Sequence, residues 1–211
     1  VLQKISLSDI TEVMKQKSGE KEKDNMVQTI RFFHILQKFT SRMTRSVKEE
    51  IASVLPLFKD NFYMDKVFVI RCKEGKNKIT YNDLGYEVTE EAVDSIVNYF
   101  KERPVGFVVA KDGMEHEEYS QIISAFQEER IFSFVAVPVF ENEVLNSIFI
   151  TYIEIKDNWT SSKERSILGQ DDLEIFTYVF SQISNAMDKL EMENELVEAN
   201  EKLKDQMVQL L

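Results

Sequence analysis

The stretch FSFVAVPVFENEVLNSIFITYIEI, residues 132–155, decides how this chain folds. On its first arm Val135, Val137 and Val139 share one face. On its second arm Ile148, Ile150 and Tyr152 oppose Leu145, Phe149 and Ile153. β-Branched and aromatic residues at a period of two predict strands over Phe132–Phe140 and Val144–Ile155, and Glu141-Asn142-Glu143 predicts the turn between them. Both sides of the second arm are apolar, so helices are expected against both faces of the sheet.

Upstream, KVFVIRC (Lys66–Cys72) predicts the first strand, with Gly75 and Asn77 turning the chain into a partner over Lys78–Tyr81. Gly106–Ala110 predicts a short strand. Between these strands the period is helical. Thr89–Arg103 has Thr89 as N-cap and Pro104 after its end, and Glu117–Glu129 reads as a shorter helix. Ser46-Val47-Lys48-Glu49 is a capping box opening a helix with Val47, Ile51, Leu55 and Phe58 on one face, which Pro56 is expected to bend. Before it, Met26, Ile30, Phe33, Leu36, Phe39 (or Thr40) and Met43 form a helical stripe. After a polar loop, Gln170–Leu211 contains no proline or glycine and reads as one helix of about 60 Å.

In that last helix Phe176, Phe180, Ile183, Met187, Leu190, Asn194 and Val197 are spaced 4-3-4-3-4-3, the spacing of a coiled-coil seam. Leu196, Leu203 and Leu210 form a second heptad series offset by one residue. The division expected is that Leu173–Met187 packs on the chain's own sheet and the remainder pairs with another chain. The fold class is therefore α/β (α+β), a central antiparallel sheet of five to six strands with helices on both faces and a long C-terminal helix. Residues 1–24 read as the end of an upstream module and a charged linker, 25–190 as the domain, and 191–211 as a linker helix. Val1 in place of Met, and an end within the helical pattern, suggest a piece of a longer protein.

Composition narrows the function. An apolar fraction of 43% with 15 Phe, 7 Tyr and 1 Trp supports a real core. A formal charge of -11 argues against a phosphate-neutralising nucleic-acid surface and against binding to anionic membranes. The single cysteine, Cys72, cannot form an internal disulfide, and with no signal peptide or spanning segment the chain reads as cytoplasmic. Two histidines, His34 and His116, offer no metal-ligand set and no Ser/His/Asp constellation, and no glycine-rich phosphate loop is present. No catalytic residue, cofactor or metal is assigned.

Ser133-Phe134-Val135-Ala136-Val137-Pro138-Val139, Glu143-Val144-Leu145-Asn146-Ser147-Ile148-Phe149-Ile150, and Asp171-Asp172-Leu173-Glu174-Ile175-Phe176 leading to Gln182-Ile183-Ser184-Asn185-Ala186-Met187 resemble the packing motifs of GAF domains over about residues 25–190. Asn146 and Ser147 depart from the pattern, standing where the family usually has a glycine. The resemblance implies a non-catalytic sensor or regulatory domain of a bacterial signalling protein. Asp9-Ile10-Thr11-Glu12 is similar to the end of a PAS domain. Glu198-Ala199-Asn200-Glu201-Lys202-Leu203-Lys204 resembles the helix before GGDEF diguanylate cyclase domains, a type that also precedes histidine-kinase modules. A small-molecule pocket would lie near Tyr81, Tyr86, Phe107, His116 and Tyr119. Cys72 reads as core or pocket wall and not as a bilin attachment point. Asn77-Lys78 matches the start of the cyclic-nucleotide pattern, whose remainder is not placed. The implied partner is a second copy of the chain, in a parallel homodimer through terminal helices that bring together Ile30, Phe33, Phe176, Phe180, Ile183, Met187, Leu190, Asn194 and Val197. The alternative is a ligand-free dimerisation and spacer domain of a sensor histidine kinase or cyclic di-GMP phosphodiesterase. A free-methionine sulfoxide reductase, which shares the fold, needs several cysteines.

Overall fold

The computed structural model describes residue 30 and residues 46–73, 75–110, 117–126, 131–155 and 168–209. The stripe over residues 25–43, apart from Ile30, lies outside them, as do the PAS-like segment and both histidines. Within them the order is α1 (Val47–Phe62), β1 (Lys66–Lys73), β2 (Lys76–Asn82), α2 (Glu90–Glu102), β3 (Phe107–Ala110), α3 (Glu117–Ile123), β4 (Ile131–Glu141), β5 (Val144–Glu154) and α4 (Gln170–Gln209). The five strands form one sheet, β2-β1-β5-β4-β3, with every pairing antiparallel. Among the described residues the sheet has five strands and not six, and β2 starts two residues earlier than its sequence pattern.

The hairpin forms through a two-residue turn, Asn142 and Glu143, both at positive φ (49° and 68°). That turn geometry matches the right-handed twist of its strands. β3 pairs with Ser133–Ala136, so Pro138, which has no N–H to donate, lies past the end of β3. Gly106 sits where β4 passes closely: a Cβ there would stand 3.0 Å from the Ala136 carbonyl oxygen and 3.4 Å from Leu173.

Alternation along the strands divides the core into two layers. Val67, Val69, Val135, Val137 and Phe149 pack beneath α1 and α4, against Ile51, Leu55, Phe58, Phe176, Phe180, Ile183 and Met187. Phe68, Ile70, Phe134, Ala136, Ile148, Ile150 and Tyr152 pack beneath α2 and α3, against Val93, Ile96, Phe100, Ile122 and Ile123. The ends of the helices follow their caps. The Ser46 capping box and the Thr89 N-cap are both formed, with Ser46 Oγ accepting from Glu49 N and Thr89 Oγ1 from Ala92 N. α1 continues through Pro56 to Phe62. α3 ends at Ile123, and Ser124–Phe126 form a turn, so the helix is shorter than its apolar pattern suggested.

Candidate functional site

Along β1 the side facing α4 is apolar at Val67 and Val69 and turns charged at Arg71 and Lys73, which extend the same alternation. Beside them on β5 the ladder slips. Val139 pairs with Ser147 and Phe140 with Leu145, which leaves Asn146 as an extra residue. A bulge of this kind breaks the strict alternation, so neighbouring side chains can reach one face. Asn146 and Ser147 both do so and meet α4. On α4, Ser184, Asp188 and Glu191 recur at four and three residues, one stripe of a helix.

These side chains form one network. The Arg71 guanidinium, 5% exposed, donates from one terminal nitrogen to Ser147 Oγ (2.9 Å) and Ser184 Oγ (3.3 Å). The other nitrogen donates to Asp188 Oδ1 (2.5 Å) and Glu191 Oε2 (3.0 Å). Asn146 Nδ2 donates to Asp188 Oδ2 (2.6 Å), the Ser147 and Ser184 hydroxyls are 2.8 Å apart, and Lys73 pairs with both carboxylates. Burial alone would raise the Asp188 pKa. The Arg71 hydrogen bond and charge, with help from Asn146 and Lys73, outweigh it and hold the carboxyl below its ordinary value. Lys73 goes the opposite way: burial opposes its charge, but hydrogen bonds to Glu191 and Asp188 raise its pKa. Arg71 Nε is buried with no hydrogen-bond partner among the described residues. The network sits where α4 leaves the body: Leu190 is 9% exposed, Met192 67%.

The opposite layer, beneath α2 and α3, is filled with rings. Phe107 stacks on Tyr119 (centroids 4.6 Å apart), Phe126 meets Phe134 (5.5 Å) and Phe68 (5.7 Å), and Phe134 stacks on Tyr152 (6.1 Å). Burial, and then a hydrogen bond with Tyr86, push the Tyr152 phenol above its ordinary range. No group of three or more His, Cys, Asp or Glu able to hold a metal ion occurs among the described residues, and no helix there is long and apolar enough to cross a membrane.

Solved structures similar in fold include the GAF domain of the Acinetobacter phosphoenolpyruvate-protein phosphotransferase. It is 12% identical, with a TM-score of 0.54, covering 80% of this chain and 98% of that one. The corresponding GAF domain from Coxiella burnetii is 10% identical, with a TM-score of 0.53 over 79% and 98%. A phycocyanobilin-bound GAF domain from a cyanobacterial phytochrome is 14% identical, with a TM-score of 0.51 over 77% and 96%. The chain has the GAF fold. No family model matches the sequence, and no curated protein matches it.

On this GAF fold the residues expected at a pocket do not come together as one group. Tyr86, Phe107 and Tyr119 belong to the α2/α3 layer, whereas Tyr81, half-buried on β2, packs against the α1/α4 layer. His116 lies outside the described residues. Cys72 is half-buried beside the α2/α3 layer, and burial, partly offset by Lys101 and Arg71, pushes its thiol up to about 11. Of the residues expected at a dimer seam, Phe176, Phe180, Ile183, Met187 and Leu190 are buried in the chain's own core, where Phe149 stacks on Phe180 at 4.6 Å. Their side chains are occupied within the protomer. Asn194 and Val197 are exposed, Ile30 is helical and half-buried, and Phe33 lies outside the described residues.

The Arg71 network was not singled out from the sequence. Its signal was the departure at Asn146-Ser147, two polar residues where a GAF domain usually has a glycine. Three further polar positions on α4 at helical spacing complete it.

Proposed function

We propose that this chain is a non-catalytic regulatory domain that passes a conformational change through α4 to an output domain such as a diguanylate cyclase. The observation that carries this reading is the Arg71 network, which ties two sheet strands to the output helix at its exit from the body. A displaced sheet must move this network or break it, and either event reaches α4. The GAF fold supports a sensor role by analogy only. Parallel pairing of two chains follows if paired output domains must face each other.

The ring-filled layer beneath α2 and α3 favours the second reading, a ligand-free dimerisation and spacer domain. A screen of nucleotides and metabolites by thermal unfolding separates the two. A small molecule that binds the folded state alone raises the midpoint by mass action. A panel without any shift supports the spacer. Turnover of a nucleotide, abolished by one point substitution, overturns the non-catalytic part. In a longer protein carrying the output domain, Asp188→Asn is expected to alter output activity. An unaltered output sinks the transmission argument.

A further inference from the structure

β2 is an outer strand of the sheet, with no strand beyond it among the described residues. The hairpin leading into it reads RCKEGKNK over residues 71–78, four basic residues against one acidic, in a chain with 26 basic and 37 acidic residues. Arg71 pairs across the ladder with Lys78, and Lys73 with Lys76, so all four cations share the α4 face. Like charges placed directly opposite one another destabilise a sheet. For Arg71 and Lys73, α4 supplies Asp188 and Glu191. Lys76 and Lys78 are exposed and meet no carboxylate among the described residues.

We propose that the outer edge of β2 is a docking site for an extended acidic segment of another protein, which joins the sheet as a further strand. Alternate residues of an edge strand turn their N–H and C=O groups outward, and a strand lying about 4.8 Å away satisfies them. β2 offers Lys76–Ile79 for this pairing. At Thr80 its register against β1 slips, and such a bulge interrupts regular pairing. Side chains at every second position share a face, so acidic residues two apart on the docked segment fall beside Lys76 and Lys78. The next residue beyond Lys78 is Ile79, half-buried against the α2/α3 layer, and an apolar side chain suits the position beside it. The segment recognised therefore carries two acidic residues with one residue between them, and an apolar residue next to one of the two. The lysines also disfavour other occupants. A second copy pairing edge to edge through this part of β2 would bring lysine against lysine. Two unpaired cations on a chain of net charge -11 are too few for nucleic acid or an anionic bilayer.

Fluorescence anisotropy of a short labelled peptide containing Glu-Thr-Glu-Val, titrated with the whole chain, tests the site. Binding is expected to weaken as salt rises. Affinity is expected to fall about tenfold or more with Lys76→Thr and Lys78→Thr together, and to survive Lys76→Arg with Lys78→Arg. The thermal midpoint of the threonine variant is expected to hold or rise, because threonine suits a strand and both like-charge pairs are gone. N-methylation of the peptide amides is expected to abolish binding, since strand addition uses them. A peptide that fails to bind, or binds the threonine variant equally well, overturns the site. An oligonucleotide or anionic vesicle that binds as tightly, or an N-methylated peptide that binds like its parent, overturns strand addition. A midpoint that falls together with binding assigns the lysines to the fold and overturns their role in docking.

Discussion

Arg71 is the residue on which the joint depends. Its charge is buried, and its partners Asp188 and Glu191 come from a helix more than a hundred positions away in sequence. A buried ion pair is not by itself strong evidence of stability, because desolvation offsets much of the attraction, but removing one partner leaves the other uncompensated. Arg71→Met is therefore expected to cost about 2–4 kcal/mol in chemical denaturation. Adding Asp188→Leu and Glu191→Leu should recover much of that loss, since replacing the arginine together with both its carboxylate partners removes their desolvation cost too, and Lys73, 42% exposed, can turn to solvent. Failure of the triple variant to recover any stability would mean the network holds more than charge. Lysine cannot substitute for the arginine fork, which serves two hydroxyls and two carboxylates at once. Asp188 adds a pH dependence whose direction is fixed. Its folded pKa lies below the ordinary 3.8, so its stabilisation is fully present above that value and is lost as pH falls through the folded one. The gap in stability between wild type and Asp188→Asn should be constant from pH 7 to about 5 and close as the pH drops below about 4. A gap that persists unchanged to pH 2 would show that Asp188 acts through shape alone.

At the scale of elements, the hairpin shows what alternation can and cannot foretell. Val135, Val137 and Val139 fall on one face as their period requires, and Glu141 and Val144 pair across the turn. Glu143, however, sits at φ 68° with an exposed side chain, a conformation that costs a residue with a Cβ about 1 kcal/mol. Glu143→Gly is expected to raise stability by about 0.5–1 kcal/mol by thermal melting, and a loss would indicate that the turn is held by its side chain. Most of the fold was legible because its signals are local: capping boxes, periods and turn residues. The joint was not, because its bulge and its long-range pairs depend on which strands neighbour each other. Sequence shows Asn146, Ser147, Ser184 and Asp188 as polar residues among apolar ones, and only the order β2-β1-β5-β4-β3 brings Arg71 to them. The same limit applies to the pocket residues. Tyr81 and Tyr86 are five positions apart, yet a register slip in β2 between Ile79 and Tyr81 and the chain's departure at Asp83 send them to different layers.

On the scale of the whole molecule, α4 is one helix with two environments, and its stability should change where its environment does. From Leu173 to Leu190 it is secured by core packing and the Arg71 network. From Met192 to Met207 every residue apart from Glu193 is exposed, and the described residues provide no apolar cover for it. A helical stretch of this length has little stability of its own in water, since short helices are marginal without packing. Amide hydrogen exchange should therefore divide the helix near Leu190. Amides from Phe176 to Leu190 should exchange slowly at any protein concentration, their opening tied to unfolding of the body. Those from Leu196 to Met207 should exchange faster by about a hundredfold or more in dilute solution. If this exposed half pairs with a second copy, their protection should rise with concentration while that of the first half stays constant. Leu196→Glu with Leu203→Glu should abolish the rise. Equal protection along the whole helix in dilute solution would mean that some other part of the chain already covers this half.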